Sequence, residues 1–118
     1  MISKNETERI GKPIVDAAFE VHKELGPGLL ESVYEHCLVQ ELKSRDLYVE
    51  SQVKLPVIYK GMQLDKEFVL DLLVEHEIVI ELKAVEILMP VHEVQLLTYL
   101  KLADKKLGYL IKIGRAHV

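Results

Sequence analysis

The chain has no tryptophan, one cysteine, four prolines and six glycines. The single Cys37 excludes an internal disulfide. Lying in an apolar, helix-patterned stretch, it reads as a buried free thiol of a reducing compartment. Excess positive charge is also missing. The formal net charge is -4 and the pI about 5.7, which is not the basic footprint of a dedicated nucleic-acid binder and counts against tight, non-specific DNA binding. No apolar run approaches the ~20 residues of a membrane span, and no basic-then-apolar leader opens the chain. A soluble, cytoplasmic protein without membrane association is therefore expected. There is no internal repeat, low-complexity tract or linker.

What is present suits one domain. The chain has 118 residues, 49% hydrophobic and 29% charged, enough for a single core. Met1–Glu8 is polar and expected to fray. Ile10, Ile14, Ala17, Ala18, Val21 and Leu25 then recur at helical spacing, with Pro13 tolerable in a first turn and Gly26-Pro27-Gly28 ending the helix. A second helix is predicted from about Leu29 to Arg45, with Leu30, Val33, Tyr34, Cys37, Leu38 and Leu42 on one side. The period then changes to two. Strands are predicted over Tyr48–Tyr59, where Pro56 suggests an edge or bulge, over Met62–Val74 and over Ile78–Val85. A third helix, Val91–Ala103, is apolar nearly all round and expected to be well buried. A short strand, Leu107–Ile113, follows.

The chemistry concentrates on two of these strands. Side chains alternate between faces, so Asp71 is expected to share a face with Val69 and Leu73, and Glu81 and Lys83 one with Val79 and Val85. A hairpin centred on His76 sets Asp71 opposite Glu81. Cross-strand partners have Cβ atoms roughly 4.5–5.5 Å apart, where like charges destabilise a sheet. Two opposed carboxylates in such apolar strands need a reason, and the simplest is a divalent cation, Mg2+ or Mn2+, held between Asp71 and Glu81. The Leu82 carbonyl could add a ligand. Lys83 could orient an attacking water or neutralise developing phosphate charge, or it could simply balance the carboxylates in an ion pair. Glu31 lies in the first turn of the second helix, where the dipole favours its ionised form. Tyr34 follows three residues on. Gln95 and Tyr99 stack at i, i+4 on the third helix, where Gln95 could bond Lys83 and Tyr99 a phosphate. His92 could edge the site, whereas His22, His36 and His76 read as surface or turn residues.

Asp71 with Glu81-Leu82-Lys83 resembles the spaced Asp, Glu-x-Lys pattern of the PD-(D/E)XK nuclease superfamily. Gly28-Leu29-Leu30-Glu31-Ser32-Val33-Tyr34 resembles the G-x-x-E-x-x-Y motif of the GxxExxY protein family within it. Ile80–Ala84 and Pro90–Leu100 resemble it further, and the resemblance spans about Ile14 to Ile111. It implies an α/β (α+β) restriction-endonuclease-like core, helix-helix-three strands-helix-strand, with a mixed sheet flanked by helices. It implies Asp71, Glu81 and Glu31 as metal-site residues, Lys83 and Gln95 as catalytic residues, and Tyr34 and Tyr99 as substrate contacts. Where many relatives carry Arg shortly before the strand aspartate, this chain has Val69 and Leu70. The expected function is Mg2+-dependent phosphodiester hydrolysis in DNA or RNA. The alternative is a non-catalytic module of the same fold that binds nucleic acid or protein, and a homodimer covering an open sheet edge is a third reading. Residues 1–112 are expected to form the domain. Residues 113–118 read as a non-native, adapter-derived tail.

Overall fold

The computed structural model describes residues 4–26 and 30–114. Helix α1 spans Lys4–Leu25, so it begins well before the point at which the polar N-terminal pattern suggested an ordered helix. Pro13 consequently lies inside the helix rather than in its first turn, where its missing N–H removes one bond of the ladder. Packing outweighs that loss. Ile10, Ile14, Ala17 and Val21 are all buried and recur at the i, i+3, i+4 spacing that turns one stripe to the core. Helix α2 spans Glu31–Ser44 and buries Tyr34, Leu38 and Leu42 as an i, i+4 seam. Cys37 is half-buried against the same core. Gly28, read from sequence as a turn glycine, lies outside the described residues, as do residues 115–118 of the suspected tail.

Strands β1 (Val49–Tyr59), β2 (Met62–Val74) and β3 (Ile78–Lys83), helix α3 (Pro90–Ala103) and strand β4 (Leu107–Lys112) complete the order. The four strands lie side by side as β1-β2-β3-β4. The first two pairings are antiparallel and the last is parallel, with α3 as the crossover. This is a mixed sheet flanked by helices, as the resemblance implied. The β2–β3 hairpin is centred on His76, with Val74 opposite Ile78 and Leu72 opposite Ile80. Glu75 and His76 both take positive φ, at 52° and 59°, and the Glu77 N–H donates to the Val74 carbonyl at 3.0 Å. Pro56 sits on edge strand β1, where the register slips between Pro56 and Ile58. An edge is where a proline's missing donor is tolerated.

One sheet face packs on α1 and α2 through Leu72, Val74, Ile78, Ile80 and Leu82. The other packs on α3 through Leu70, Leu73, Val79 and Leu96, with Val53 and Leu55 alongside. Leu70 and Leu72 have the same parity yet lie on opposite faces, so the alternation of β2 breaks at Asp71. The expectation that Asp71 shares a face with Val69 and Leu73 is corrected accordingly: Val69 is 38% exposed, whereas Leu70 is fully buried against the α3 side. Strand β1 switches at the matching place. Val49 packs with the α1–α2 side and Val53 with the α3 side, while the register on either side of Gln52 is unbroken.

Helix α3 is less buried than its composition suggested. Of its residues only Leu96 is buried, and Val91, Val94 and Leu97 are 65%, 59% and 64% exposed. The reason is geometric, since one sheet face covers one stripe of a helix. On that stripe Gly108 allows close approach. A Cβ there would lie 3.0 Å from the Leu96 side chain and 3.2 Å from the Val79 carbonyl.

Candidate active site

Asp71 and Glu81 meet where β2 parts from β3. Regular pairing ends at Leu72 opposite Ile80, and beyond it the two carboxylates take over the ladder. The Asp71 N–H donates to Glu81 Oε1 at 3.1 Å. The Leu82 N–H donates to Asp71 Oδ2 at 2.8 Å. Each carboxylate thus bonds the other strand's backbone, a charge-assisted arrangement that holds like charges together. Glu81 is the one buried charged residue, at 4% exposure, among those described. Burial, with the Asp71 charge beside it, pushes its carboxyl up to about 8.

The opposing ammonium is held from α3. Lys83 Nζ donates to Gln95 Oε1 at 2.7 Å. Ion pairs within 4.0 Å among the described residues do not include Lys83 with either carboxylate, so the expected balancing salt bridge is not formed. Tyr99 lies one turn on, its ring 5.5 Å from that of Phe68. Its hydroxyl is pushed upward by burial and by the charges of Glu81 and Asp71, partly offset by Gln95.

From α2, Glu31 joins the group at the helix start. Its carboxyl is raised, first by burial and then by Asp71, with Lys83 opposing. Burial and the neighbouring anion thus act against the helix dipole, which favours the charged form. A pocket lined by Glu31, Ser32, Glu35, Gln52 and Asp71 opens beside it. Glu35 and Gln52 escaped the sequence reading. Gln52 Nε2 donates to Glu35 Oε1 at 2.8 Å, and the Glu35 carboxyl is raised by burial, Asp71 and Glu31, against the pull of Gln52. The i, i+4 spacing from Glu31 could have flagged Glu35. Gln52 carried no local signal, because its neighbourhood depends on the β1–β2 register.

Tyr34 is not brought to this group. It is fully buried, with its hydroxyl 2.7 Å from His22 Nδ1 and 3.3 Å from the Ala18 carbonyl oxygen. His22 Nε2 lies 3.1 Å from the Lys112 carbonyl oxygen. His22 is therefore a half-buried bridge between α1, α2 and β4 rather than a surface residue. His22 Nδ1 also lies 3.0 Å from the Ala18 carbonyl oxygen, so the imidazole, the Tyr34 hydroxyl and that carbonyl form one closed polar cluster inside the apolar seam. Burial pushes the Tyr34 hydroxyl far up. Tyr34→Phe should lower stability by about 1–2 kcal/mol in chemical denaturation and leave Mn2+ affinity unchanged by calorimetry. His92 caps its own helix instead of edging the site: the Met89 N–H donates to His92 Nδ1 at 2.9 Å.

The donor atoms are carboxylate oxygens, the chemistry of a hard cation. Among the described residues no three His, Cys, Asp or Glu side chains gather closely enough to hold a metal ion by themselves. Two opposed carboxylates still fit a cation that keeps part of its own water shell. No helix among the described residues is long and apolar enough to cross a membrane.

A mixed α+β sheet with an aspartate and a Glu-Leu-Lys at its strand fork has the organisation of a nuclease-like core. The family model for the PD-(D/E)XK nuclease superfamily matches residues 8–118, and the chain belongs to that superfamily. Its function class is accordingly nuclease-like, with nucleic acid as the class of substrate and divalent metals the cofactors typical of the superfamily. No curated protein and no solved structure matches the chain.

Proposed function

We propose that this protein is a Mg2+-dependent nuclease of the GxxExxY type that hydrolyses phosphodiester bonds in DNA or RNA. The observation that carries the reading is the pair of carboxylates, Asp71 and Glu81, interlocked at the fork beside Lys83. Asp71 and Glu81 would hold Mg2+ or Mn2+, with Glu31 assisting from α2. When bound, the cation supplies Lewis-acid polarisation of a phosphoryl oxygen. Lys83, steadied by Gln95, orients the attacking water and offsets charge growing on the phosphate. Tyr99 meets a phosphate oxygen at the rim. A cytoplasmic location and a homodimer through an open sheet edge belong to the same proposal, since β1 and β4 are both edge strands.

The test is cleavage of supercoiled plasmid and of end-labelled RNA with Mg2+ or Mn2+, with EDTA as the control. Wild type should nick or cut one of them, and Lys83→Ala should lower the rate at least ~100-fold, the range for losing a charge-stabilising group. Binding that ignores EDTA and yields no cut product would favour the non-catalytic module. Light scattering that gives the mass of one chain at every concentration would remove the dimer.

A further inference from the structure

The two strands β1 and β2 change faces together, and they do so at one pair of residues. Val49 lies on the α1–α2 side and Val53 on the α3 side, while across from them Val74 and Leu72 lie on the α1–α2 side and Leu70 on the α3 side. Ser51 opposes Leu72 and Val53 opposes Leu70, so Gln52 and Asp71 stand at the crossing point. Gln52 has φ 52°. A strand residue in the left-handed region turns the chain, so its neighbours no longer alternate as they would in a regular strand. For a glutamine this conformation is costly and persists only where the surroundings hold it. Here the Gln52 amide is tied to Glu35 of α2 at 2.8 Å.

We propose that Gln52 is the positioning residue of the acidic site. Its left-handed backbone turns Asp71 out of the sheet's alternation and into the gap toward β3, and its side chain pins Glu35 at the mouth of the same pocket. In a regular β2, Asp71 would stand perpendicular to the sheet, and its carboxylate would not reach the Leu82 amide that it accepts from at 2.8 Å. The catalytic consequence rests on the nuclease reading, whereas the positioning does not.

Two substitutions separate backbone from side chain. Gln52→Gly keeps the left-handed conformation at no steric expense. Gln52→Val disfavours it, because a β-branched residue at positive φ is strongly strained. Hydrogen exchange at the Leu82 amide reports directly on whether Asp71 still reaches it. In Gln52→Gly that exchange rate should stay within about threefold of wild type. In Gln52→Val it should rise at least about tenfold, the factor that corresponds to ~1.4 kcal/mol. If the wild type cleaves, KM should change little in either variant, and kcat should fall further with Gln52→Val than with Gln52→Gly, which loses only the tie to Glu35. Loss of Leu82 protection in Gln52→Gly, or full protection in a folded Gln52→Val, would overturn the proposal. Should Gln52→Val fail to fold, Gln52→Ala, disfavoured at positive φ without β-branching, takes its place against Gln52→Gly, with the same rise in exchange expected and full protection overturning the proposal. A wild type that neither cleaves nor binds Mn2+ would remove the nuclease reading, and the exchange result would still decide the positioning.

Discussion

Asp71→Asn is expected to abolish cleavage while leaving the fold intact. The asparagine carbonyl can still accept from the Leu82 N–H, so the bond between β2 and β3 survives, but the charge that a cation needs is gone. Loss of at least ~1000-fold in rate and of measurable Mn2+ binding is the expected outcome, the upper range for one electrostatic group in a preorganised site. Asp71→Ala should lose as much activity and also destabilise the protein by about 1–3 kcal/mol, because it leaves the part-buried Leu82 amide without its partner. In both variants the Glu81 carboxyl should fall toward its ordinary value, since the Asp71 charge is one of the causes that raise it. Asp71→Asn that cuts at the wild-type rate would sink the assignment of Asp71 as a metal-site residue. Stability measured by denaturation guards against reading an unfolded variant as an inactive one.

Glu81 should make the metal-free protein less stable as the pH rises. Its carboxyl is raised from the ordinary value to about 8 in the folded chain, by burial first and Asp71 second. A raised folded-state pKa means that the native state holds a proton the unfolded chain releases. The resulting stability is fully present below the unfolded value near ~4.3. It declines through the interval above that value and is gone once the pH passes about 8. Glu31 and Glu35, also raised, act with the same sign. The melting temperature should therefore fall between about pH 5 and pH 8.5, and Glu81→Gln should flatten most of the slope. Added Mn2+ competes with the proton for the carboxylates, so it should raise the melting temperature more at pH 8 than at pH 5.5. A wild-type melting temperature that stays level over this range, or a Glu81→Gln variant with the same slope, would show that the buried carboxylate is not the cause.

The elements themselves were legible because their periods are local. The i, i+3, i+4 stripe of α1, the strand run of β2 and the turn at His76 each follow from a few neighbouring residues, and the hairpin centre was enough to bring Asp71 to Glu81. Gln95 beside Lys83 also followed from a polar residue on an apolar helix needing a partner. Tyr34 was misplaced because its spacing from Glu31 suggested a shared face. The residue three positions on lies partly around the helix, and a large ring there is drawn into the core between α1 and α2. Helix α3 was misjudged for the opposite reason: composition counts apolar side chains, but burial requires a surface to cover them, and the sheet covers only Leu96 fully.

By itself the sequence determined the order of helices and strands, the hairpin centre and the carboxylate pair with its lysine, since each rests on spacing within a short stretch. Only the tertiary structure decided which way Asp71 turns, that Glu35 and Gln52 join its pocket, and that Tyr34 and His22 serve the core. Those outcomes depend on contacts between residues far apart in the chain. Gln52 meets Asp71 only through strand pairing, and it takes its left-handed backbone where the two strands change faces, a conformation that no local propensity of glutamine favours.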